Sequence, residues 1–402
     1  MTDRLFLEIL KTALKGEQMP GDTQLSTEDM QEIIRLSELH KLLPMVYDTV
    51  YPVCPSDEVL QGGLKQRTKL LVMQQTIRTQ RFAELYKALG EKGLYPVVVK
   101  GIICRSLYPK PDFRISADED LLICEDEFTL YDEILTQSGF RRQANQRKDY
   151  YETSYFSDDG LHIELHTSLF STQIEYFDEW NRVFENAQSD AVFVRVGATE
   201  VRTLSPTYNL LYLILHALKH FVHSGVGIRQ VCDINMFAQH FGEEIDWNTV
   251  VSVLTSLNAE NFTAGLFDIG TKYLGFDEEK SKCPRELRTS CTENEILLRD
   301  ILCAGVYGGA TMSRRHSAGL TLSAVNGEKN SLAQRLFPSG ENLDSRYEYA
   351  KKNPLLLPAA WVHRIVRYMN EVDKNGENTP TESLKTGRER IELLRKLGLL
   401  PE

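Results

Sequence analysis

The sequence predicts an α+β protein in which a small mixed sheet is flanked by an N-terminal and a C-terminal helical region. Apolar residues recur at helical spacing in the first 93 residues and again after residue 204. Between them lie short apolar or alternating runs bounded by turn residues, which are typical of strands. We therefore divide the chain into residues 1–93, 94–203 and 204–402, with the sheet in the middle region.

The N-terminal region is predicted to consist of amphipathic helices. Its first apolar stripe comprises Phe6, Leu7, Leu10 and Leu14. A longer helix, rich in Gln, Lys, Leu and Arg, is expected from about residue 56 to 92. We interpret this region as a packing domain, although Gln74, Gln75 and Arg78 on the long helix could also overhang a site in the sheet.

A lysine-glycine turn and two acids mark the first candidate site. The strand-like residues 95–99 enter the Lys100-Gly101 turn, and Asp118 and Asp120 precede the apolar run 121–123. Residues i and i+2 of a strand point to the same face, so these carboxylates lie side by side. Most Asp-x-Asp triplets are solvated acids or helix caps, but the apolar run favours the mouth of a buried strand. Paired carboxylates suit a hard divalent ion, and a turn before a helix suits phosphate.

A third acid lies on a predicted hairpin. Asp159-Gly160 is a strong turn signal, and His162, Glu164 and His166 alternate with apolar residues after it. This places Glu164 on a polar face between two histidines. The alternative is an ordinary solvated strand face. A zinc site built from His-x-Glu-x-His lacks a nearby cysteine.

Two further clusters lie on the helices that follow the sheet. His216 and His220 are four residues apart with Lys219 beside them, so they either belong to a half-buried helix or form a polar rim at the site. Arg229 and Asp233 have the same spacing. They either pair along the helix or act together, with Asp233 orienting Arg229 towards phosphate.

The composition restricts the class of partner. Hydrophobic residues make up 42% and charged residues 26%, which is ordinary for a globular protein. The formal net charge of −11 opposes an extended nucleic-acid surface or binding to anionic membranes. The seven cysteines form no Cys-x-x-Cys pair, and no apolar run approaches a membrane span. We expect a cytoplasmic protein.

The order of these motifs resembles that of the DNA polymerase β-type nucleotidyltransferase superfamily. It runs from Lys100-Gly101 through Tyr-Pro-x-Pro-x-x-Arg, ending at Arg114, to Asp118-x-Asp120-Leu-Leu-Ile and then Ile-Glu164-Leu-His. More narrowly, it resembles the bacterial "uncharacterised nucleotidyltransferase" family, in which Lys-Gly stands where classical members of the superfamily carry Gly-Ser. The likeness extends from about residue 90 to 240.

The resemblance implies roles for these residues. Asp118, Asp120 and Glu164 would bind catalytic Mg²⁺ or Mn²⁺, and Glu164 would also assist deprotonation of the attacking hydroxyl. Gly101 would let the chain approach a triphosphate, with Lys100 contacting phosphate, although the hydroxyl of Gly-Ser is missing. The other candidate substrate-binding residues are Arg114, His216, Lys219, His220, Arg229 and Asp233.

The function implied is metal-dependent transfer of a nucleoside monophosphate from an NTP, such as ATP, to a hydroxyl of an acceptor, with release of pyrophosphate. The acceptor is a small molecule, a protein side chain or the end of an RNA. Asp120→Asn is then expected to abolish activity with folding nearly intact, because crowded carboxylates repel each other. The alternatives are a non-catalytic nucleotide-binding or interaction protein that keeps the fold, and a hydrolase that uses the same metals.

Overall fold

The described residues of this computed structural model are 2–54, 58–143, 151–223, 225–289, 293–306, 347, 349–350, 353, 356–363 and 380–400. Their contacts divide the chain into two compact units. The first comprises Met1–Ala217 and Ile228–Asn294, and the second comprises Leu218–Gly227 and Glu295–Glu402. The first unit contains a seven-stranded mixed sheet flanked by helices, so the predicted α+β class is confirmed.

Four helices precede the sheet: α1 (Thr2–Leu14), α2 (Thr27–Leu39), α3 (Leu43–Val50) and α4 (Glu58–Gly90). Local sequence fixes the start of α2, because the Ser26 hydroxyl accepts the backbone N–H of Asp29 at 3.0 Å. The Asp29 carboxylate accepts the Ser26 N–H in return, which completes a capping box. In the described part of the chain, none of the helices has the length and apolarity that a membrane span requires.

The sheet consists of β1 (Val97–Val99), β2 (Glu119–Leu122), β3 (Arg141–Arg142), β4 (Glu152–Phe156), β5 (His162–His166), β6 (Val192–Val196) and β7 (Thr199–Thr203). Its spatial order is β3-β4-β5-β2-β1-β7-β6. The β2–β5 and β1–β7 pairs are parallel, and the other neighbours are antiparallel. Every residue of β1 and β2 is buried, as expected for central strands, whereas Phe193 on the edge strand β6 is half exposed.

Short helices connect the strands, namely α5 (Gly101–Arg105), α6 (Phe128–Gln137) and α7 (Asp178–Val183). The later described helices are α8 (Pro206–His223), α9 (Ile228–Phe241), α10 (Trp247–Ser256), α11 (Glu260–Leu274), α12 (Glu278–Ser281), α13 (Glu286–Thr289), α14 (Asn294–Ala304) and α15 (Pro380–Lys396). Within the first unit, the Asn235 amide of α9 donates to the Leu266 carbonyl of α11 at 3.1 Å.

The second unit has its own buried contacts. Arg390 of α15 is buried, donates to the Phe221 carbonyl and lies 3.7 Å from Asp300. Leu393 and Leu394 of α15 are also buried. This unit is therefore held together both by apolar packing and by a buried arginine.

The predicted hairpin at Asp159-Gly160 is confirmed, and a second hairpin joins β6 to β7. Gly160 takes a positive φ of 83° in the turn between β4 and β5, and Gly197 takes 59° between β6 and β7, a conformation that favours glycine. The acid-bearing strand differs slightly from expectation. It begins at Glu119, so Asp118 lies one residue before β2.

Candidate active site

The sheet register brings the predicted acids together. Asp120 on β2 lies directly opposite Glu164 on the parallel neighbour β5, and Asp118 precedes Asp120 by two residues. Ligand atoms of Asp118, His162 and Glu164 all lie within 4.8 Å of one another, and so do those of Asp120, Glu164 and His166. Glu164 therefore belongs to both groups and joins them into one site.

This donor set fits a divalent cation. Oxygen ligands at about 2.1 Å from Mg²⁺ lie about 4.2 Å apart across the ion, so small side-chain movements bring these atoms into range. Carboxylate oxygens suit Mg²⁺ and Mn²⁺, and imidazole nitrogens also suit softer transition metals. The arrangement supports a divalent-cation site without identifying the ion.

Asp120 is balanced by two cationic groups. Its Oδ2 atom lies 2.8 Å from the Lys100 ammonium, and its Oδ1 atom lies 3.2 Å from Nε2 of His166. The side chain of Asp120 is only 1% exposed. Burial opposes its ionisation, but Lys100 and His166 outweigh burial and hold the pKa of Asp120 well below its ordinary value. Asp120 is therefore a carboxylate with partners already in place.

The pKa values of Glu164 and His166 are shifted by burial and by the contact between the two side chains. Burial raises the pKa of Glu164 to about 7, although its hydrogen bond with His166 opposes the shift and Asp120 adds to it. Burial lowers the pKa of His166, but hydrogen bonds to Asp120 and Glu164 outweigh it and raise the pKa to about 9. At neutral pH a charged imidazole thus lies between the Asp120 carboxylate and the partly protonated carboxyl group of Glu164, which is poised to take or release a proton.

The Lys100-Gly101 turn is held by an acid that the sequence did not single out. The Glu119 carboxylate accepts the Ile102 N–H at 2.7 Å and is paired with Arg105 at 2.8 Å. A Cβ on Gly101 would lie 1.9 Å from Oε2 of Glu119, so glycine is required by this close approach. The first turn of α5 therefore already binds an anionic group of the protein itself.

Lys100 joins this turn to the acids and to α8. It takes a positive φ of 54°, and its ammonium lies 2.9 Å from Nε2 of His216 as well as beside Asp120. The structure thus places His216 at the site through Lys100. Lys219 and His220 belong to the second compact unit, and their contact with substrate stays a prediction.

Arg114 and Asp233 form a buried pair. Arg114 donates from Nε and Nη2 to the two Asp233 oxygens at 2.7 and 2.6 Å, and the Tyr108 hydroxyl donates to Asp233 at 2.7 Å. Asp233 therefore pairs with Arg114 and not with Arg229, its neighbour four residues earlier on α9. Arg114 also reaches the Gly101 carbonyl at 3.4 Å. The pair therefore supports the Lys100-Gly101 turn through the Gly101 carbonyl. Its contact with substrate stays a prediction.

Three residues hold the segment that leads into Asp118. Arg229 donates to the Ile115 carbonyl, Arg78 donates to the Ser116 carbonyl at 3.2 Å, and the Gln75 amide oxygen accepts the Ser116 N–H at 2.9 Å. Gln75 and Arg78 lie on α4, the helix that the sequence placed as a possible overhang. The N-terminal helices thus take part in positioning the acids.

Sequence reasoning missed Glu152 and Lys41. Glu152 on β4 lies opposite His166 and raises the pKa of both Glu164 and His166. Glu152 alternates with Ser154 and Phe156 along β4, and this strand pattern in the sequence could have indicated that Glu152 lies on the same face as its neighbours. Lys41, in the turn after α2, lies near Arg229, Asp118 and Arg78. No local pattern marks it, because it is more than 30 residues from each of them in sequence.

Comparison with protein families gives a match. The family described as "Uncharacterised nucleotidyltransferase" matches residues 26–275, which is more than half of the 402-residue chain. The matched range contains the acids, the Lys100-Gly101 turn, α4 and α9. Neither the comparison with curated proteins nor the comparison with solved structures gives a match.

Proposed function

Because the chain belongs to the uncharacterised nucleotidyltransferase family, we propose that it transfers a nucleoside monophosphate from an NTP to a hydroxyl of an acceptor and releases pyrophosphate. The observation that supports this most is the convergence of Asp118, Asp120 and Glu164 at one point of the sheet. A transferase of this type needs a cluster of carboxylates where negative charge has to be neutralised. The acceptor is a small molecule, a protein side chain or an RNA end.

The three acids would hold Mg²⁺ or Mn²⁺, and that ion would supply charge neutralisation at the reacting phosphate. Glu164, with a pKa raised to about 7 by burial, would accept the proton of the acceptor hydroxyl. Lys100 contacts Asp120 on one side, and His166 contacts it on the other. Arg114 and Glu119 hold the Lys100-Gly101 turn through hydrogen bonds with the Gly101 carbonyl and the Ile102 N–H.

One feature favours a second function, a nucleotide-binding or interaction protein without catalysis. The Ile102 N–H is bonded to Glu119, and the Lys100 ammonium lies against Asp120 and His216. A triphosphate at this turn would have to compete with these partners. The occupied turn therefore favours the interaction protein, and nucleotide binding or catalysis would require phosphate to be held elsewhere.

We also propose a cytoplasmic location. Four cysteines of the described residues are free, namely Cys104, Cys124, Cys232 and Cys283. Free cysteines that include buried ones suit a reducing compartment. Fractionation of cells that express the full chain tests this location directly.

The experiment for the function uses NTPs labelled at the α- or the γ-phosphate, with Mn²⁺ and a cell extract as the source of acceptor. Transfer of the α-label to another molecule, together with labelled pyrophosphate from the γ-label, is the expected result. Inorganic phosphate from the γ-label would instead indicate a hydrolase. If no NTP is consumed but NTP with Mn²⁺ raises the melting temperature, the protein binds nucleotide without transferring it.

A further inference from the structure

Three basic side chains close to Asp118 have no acidic partner among the residues that the structure describes. Lys41, Arg78 and Arg229 form no ion pair within 4 Å with a carboxylate of the described residues, in contrast to Arg105 and Arg114, which each pair with a buried acid. Arg229 is only 6% exposed, and Arg78 and Lys41 are half-buried. Buried or partly buried charges are normally paired, so three unpaired cations together indicate an anionic ligand.

The backbone contacts show that these cations are neighbours. Arg78 and Arg229 donate to the carbonyls of Ser116 and Ile115, which are adjacent residues two and three positions before Asp118. Lys41 follows His40, whose ring accepts the N–H of Ile228 at 3.2 Å, the residue before Arg229. Contacts from α4 and α9 therefore converge on one segment, and the turn after α2 is joined to the first residue of α9.

The side chains retain unused hydrogen-bonding capacity. The Nε atoms of Arg78 and Arg229 are buried and have no hydrogen-bond partner in the described part of the chain. A guanidinium with free donors matches the oxygens of a phosphate, which it can bind through two N–H groups. Burial and Arg229 lower the pKa of Lys41, Asp118 opposes them, and Arg78 adds to the lowering, as expected for cations held close together.

We infer that Lys41, Arg78 and Arg229 form a phosphate-binding subsite next to Asp118. The subsite lies outside the Lys100-Gly101 turn, whose backbone and ammonium groups are engaged by Glu119 and Asp120. The phosphate belongs either to the tail of the NTP or to a phosphorylated acceptor. That choice of source rests on the proposed function, whereas the subsite rests on the three cations.

The test measures binding of inorganic tripolyphosphate by calorimetry at low salt, with no divalent metal, so that it does not depend on nucleotidyl transfer. The variants are Lys41→Gln and Arg78→Gln. The matched controls are Lys282→Gln and Arg67→Gln. Lys282 has a positive φ of 53°, close to the 55° of Lys41, and pairs with Glu243, and Arg67 is an exposed arginine on α4 that pairs with Glu38. Two variants are used because Arg78 also holds the Ser116 carbonyl.

We expect wild type and both controls to bind tripolyphosphate, and each test variant to bind about tenfold more weakly, since one charged contact is lost. Without tripolyphosphate, Lys41→Gln should melt at a higher temperature than wild type, because one of three crowded like charges is removed. A lysine with a purely structural role would not give this opposite pair of effects. Equal binding by wild type and Lys41→Gln, or no binding by wild type, would overturn the subsite.

Binding of an NTP to the same variants identifies the source of the phosphate. If Lys41→Gln weakens NTP and tripolyphosphate binding by the same factor, the subsite holds the nucleotide tail. If it weakens only tripolyphosphate, the subsite holds a phosphate of the acceptor. Tripolyphosphate binding in a protein that transfers no nucleotide would retain the subsite and reject the proposed function.

Discussion

The two aspartates of the site differ in how their charges are balanced. Asp120 is buried and held by Lys100 and His166, whereas Asp118 is half-buried and forms no ion pair with a described residue. Lys41, which interacts with Asp118, and Arg78 and Arg229, which hold the segment before it, lack acidic partners within the described part of the chain. The Asp120 side is thus complete by itself, and the Asp118 side is suited to receive a ligand.

Because of this difference, Asp120 and Asp118 should contribute differently to the stability of the protein and to ligand binding. A group with all its partners in place contributes to the stability of the protein, and its loss exposes the partners left behind. A group without partners costs stability unless a ligand supplies them, which is usual at functional sites. Substitutions on the two sides should therefore have different consequences for stability even where both abolish activity.

The largest contrast is expected between Asp120→Asn and Asp118→Asn. Both should lower nucleotidyl transfer by roughly 10²–10³-fold or more, because each removes a charge at the proposed cation site. Asp120→Asn should also lower the free energy of unfolding by roughly 3–5 kcal/mol, since it leaves Lys100 and His166 without their shared partner. Asp118→Asn should change it by less than about 1 kcal/mol. Urea unfolding of both variants checks this, and equal stabilities would remove the distinction.

A second contrast concerns two arginines that approach the same turn and its neighbouring segment. Arg114→Gln should lower the free energy of unfolding by roughly 3–5 kcal/mol, because it leaves the buried Asp233 with Tyr108 alone. Arg229→Gln should cost only about 1–2 kcal/mol, the loss of one hydrogen bond to a backbone carbonyl. Chemical denaturation measures both. A larger loss for Arg229→Gln would show that its main role is structural.

Part of this arrangement could be predicted from sequence and part could not. The side-by-side position of Asp118 and Asp120 follows from strand alternation, and the same rule places Glu164 between two histidines. The same alternation turns Glu119 to the opposite side of the strand, where it reaches Ile102, but nothing local identifies that partner. Asp233 and Arg114 meet across 119 residues, so spacing along α9 suggested Arg229 instead. Partners of this kind depend on tertiary packing.

The stability of the Asp120 variant illustrates the same point. Sequence alone predicts that removing one of two crowded carboxylates leaves folding nearly intact. The structure places a lysine and a histidine against Asp120, so the crowding is already relieved and the expected effect becomes destabilising. The sequence motif identified the residue but not its counter-charges.

A smaller effect is expected from pH in the presence of a chelator. Glu164 has its pKa raised from 4.5 to about 7 by burial in the folded protein, so the folded state binds this proton more tightly than the unfolded state. The resulting stability is fully present below pH 4.5 and is lost as the pH rises through 7. It amounts to about 3 kcal/mol at most.

Glu164→Gln should therefore make the free energy of unfolding depend less on pH than in wild type. The comparison is cleanest between pH 4.5 and about 5.5, because His166, with a pKa raised from 6.5 to about 9, stays mostly protonated there in both the folded and the unfolded state. Added Mn²⁺ should stabilise wild type more at higher pH, since metal binding requires the deprotonated carboxylate. Identical pH slopes for wild type and Glu164→Gln would show that Glu164 does not titrate in this range.

The most direct test of the cation site is a Mn²⁺ titration followed by electron paramagnetic resonance, with a non-hydrolysable NTP analogue present. It compares wild type with Asp118→Asn, Glu164→Gln and the control Asp158→Asn, an exposed acid on the same hairpin that pairs with Arg141. We predict that wild type and Asp158→Asn bind Mn²⁺ alike, and that the other two bind at least about tenfold more weakly. Equal Mn²⁺ affinity in all four proteins would contradict the assignment of these acids as the cation site.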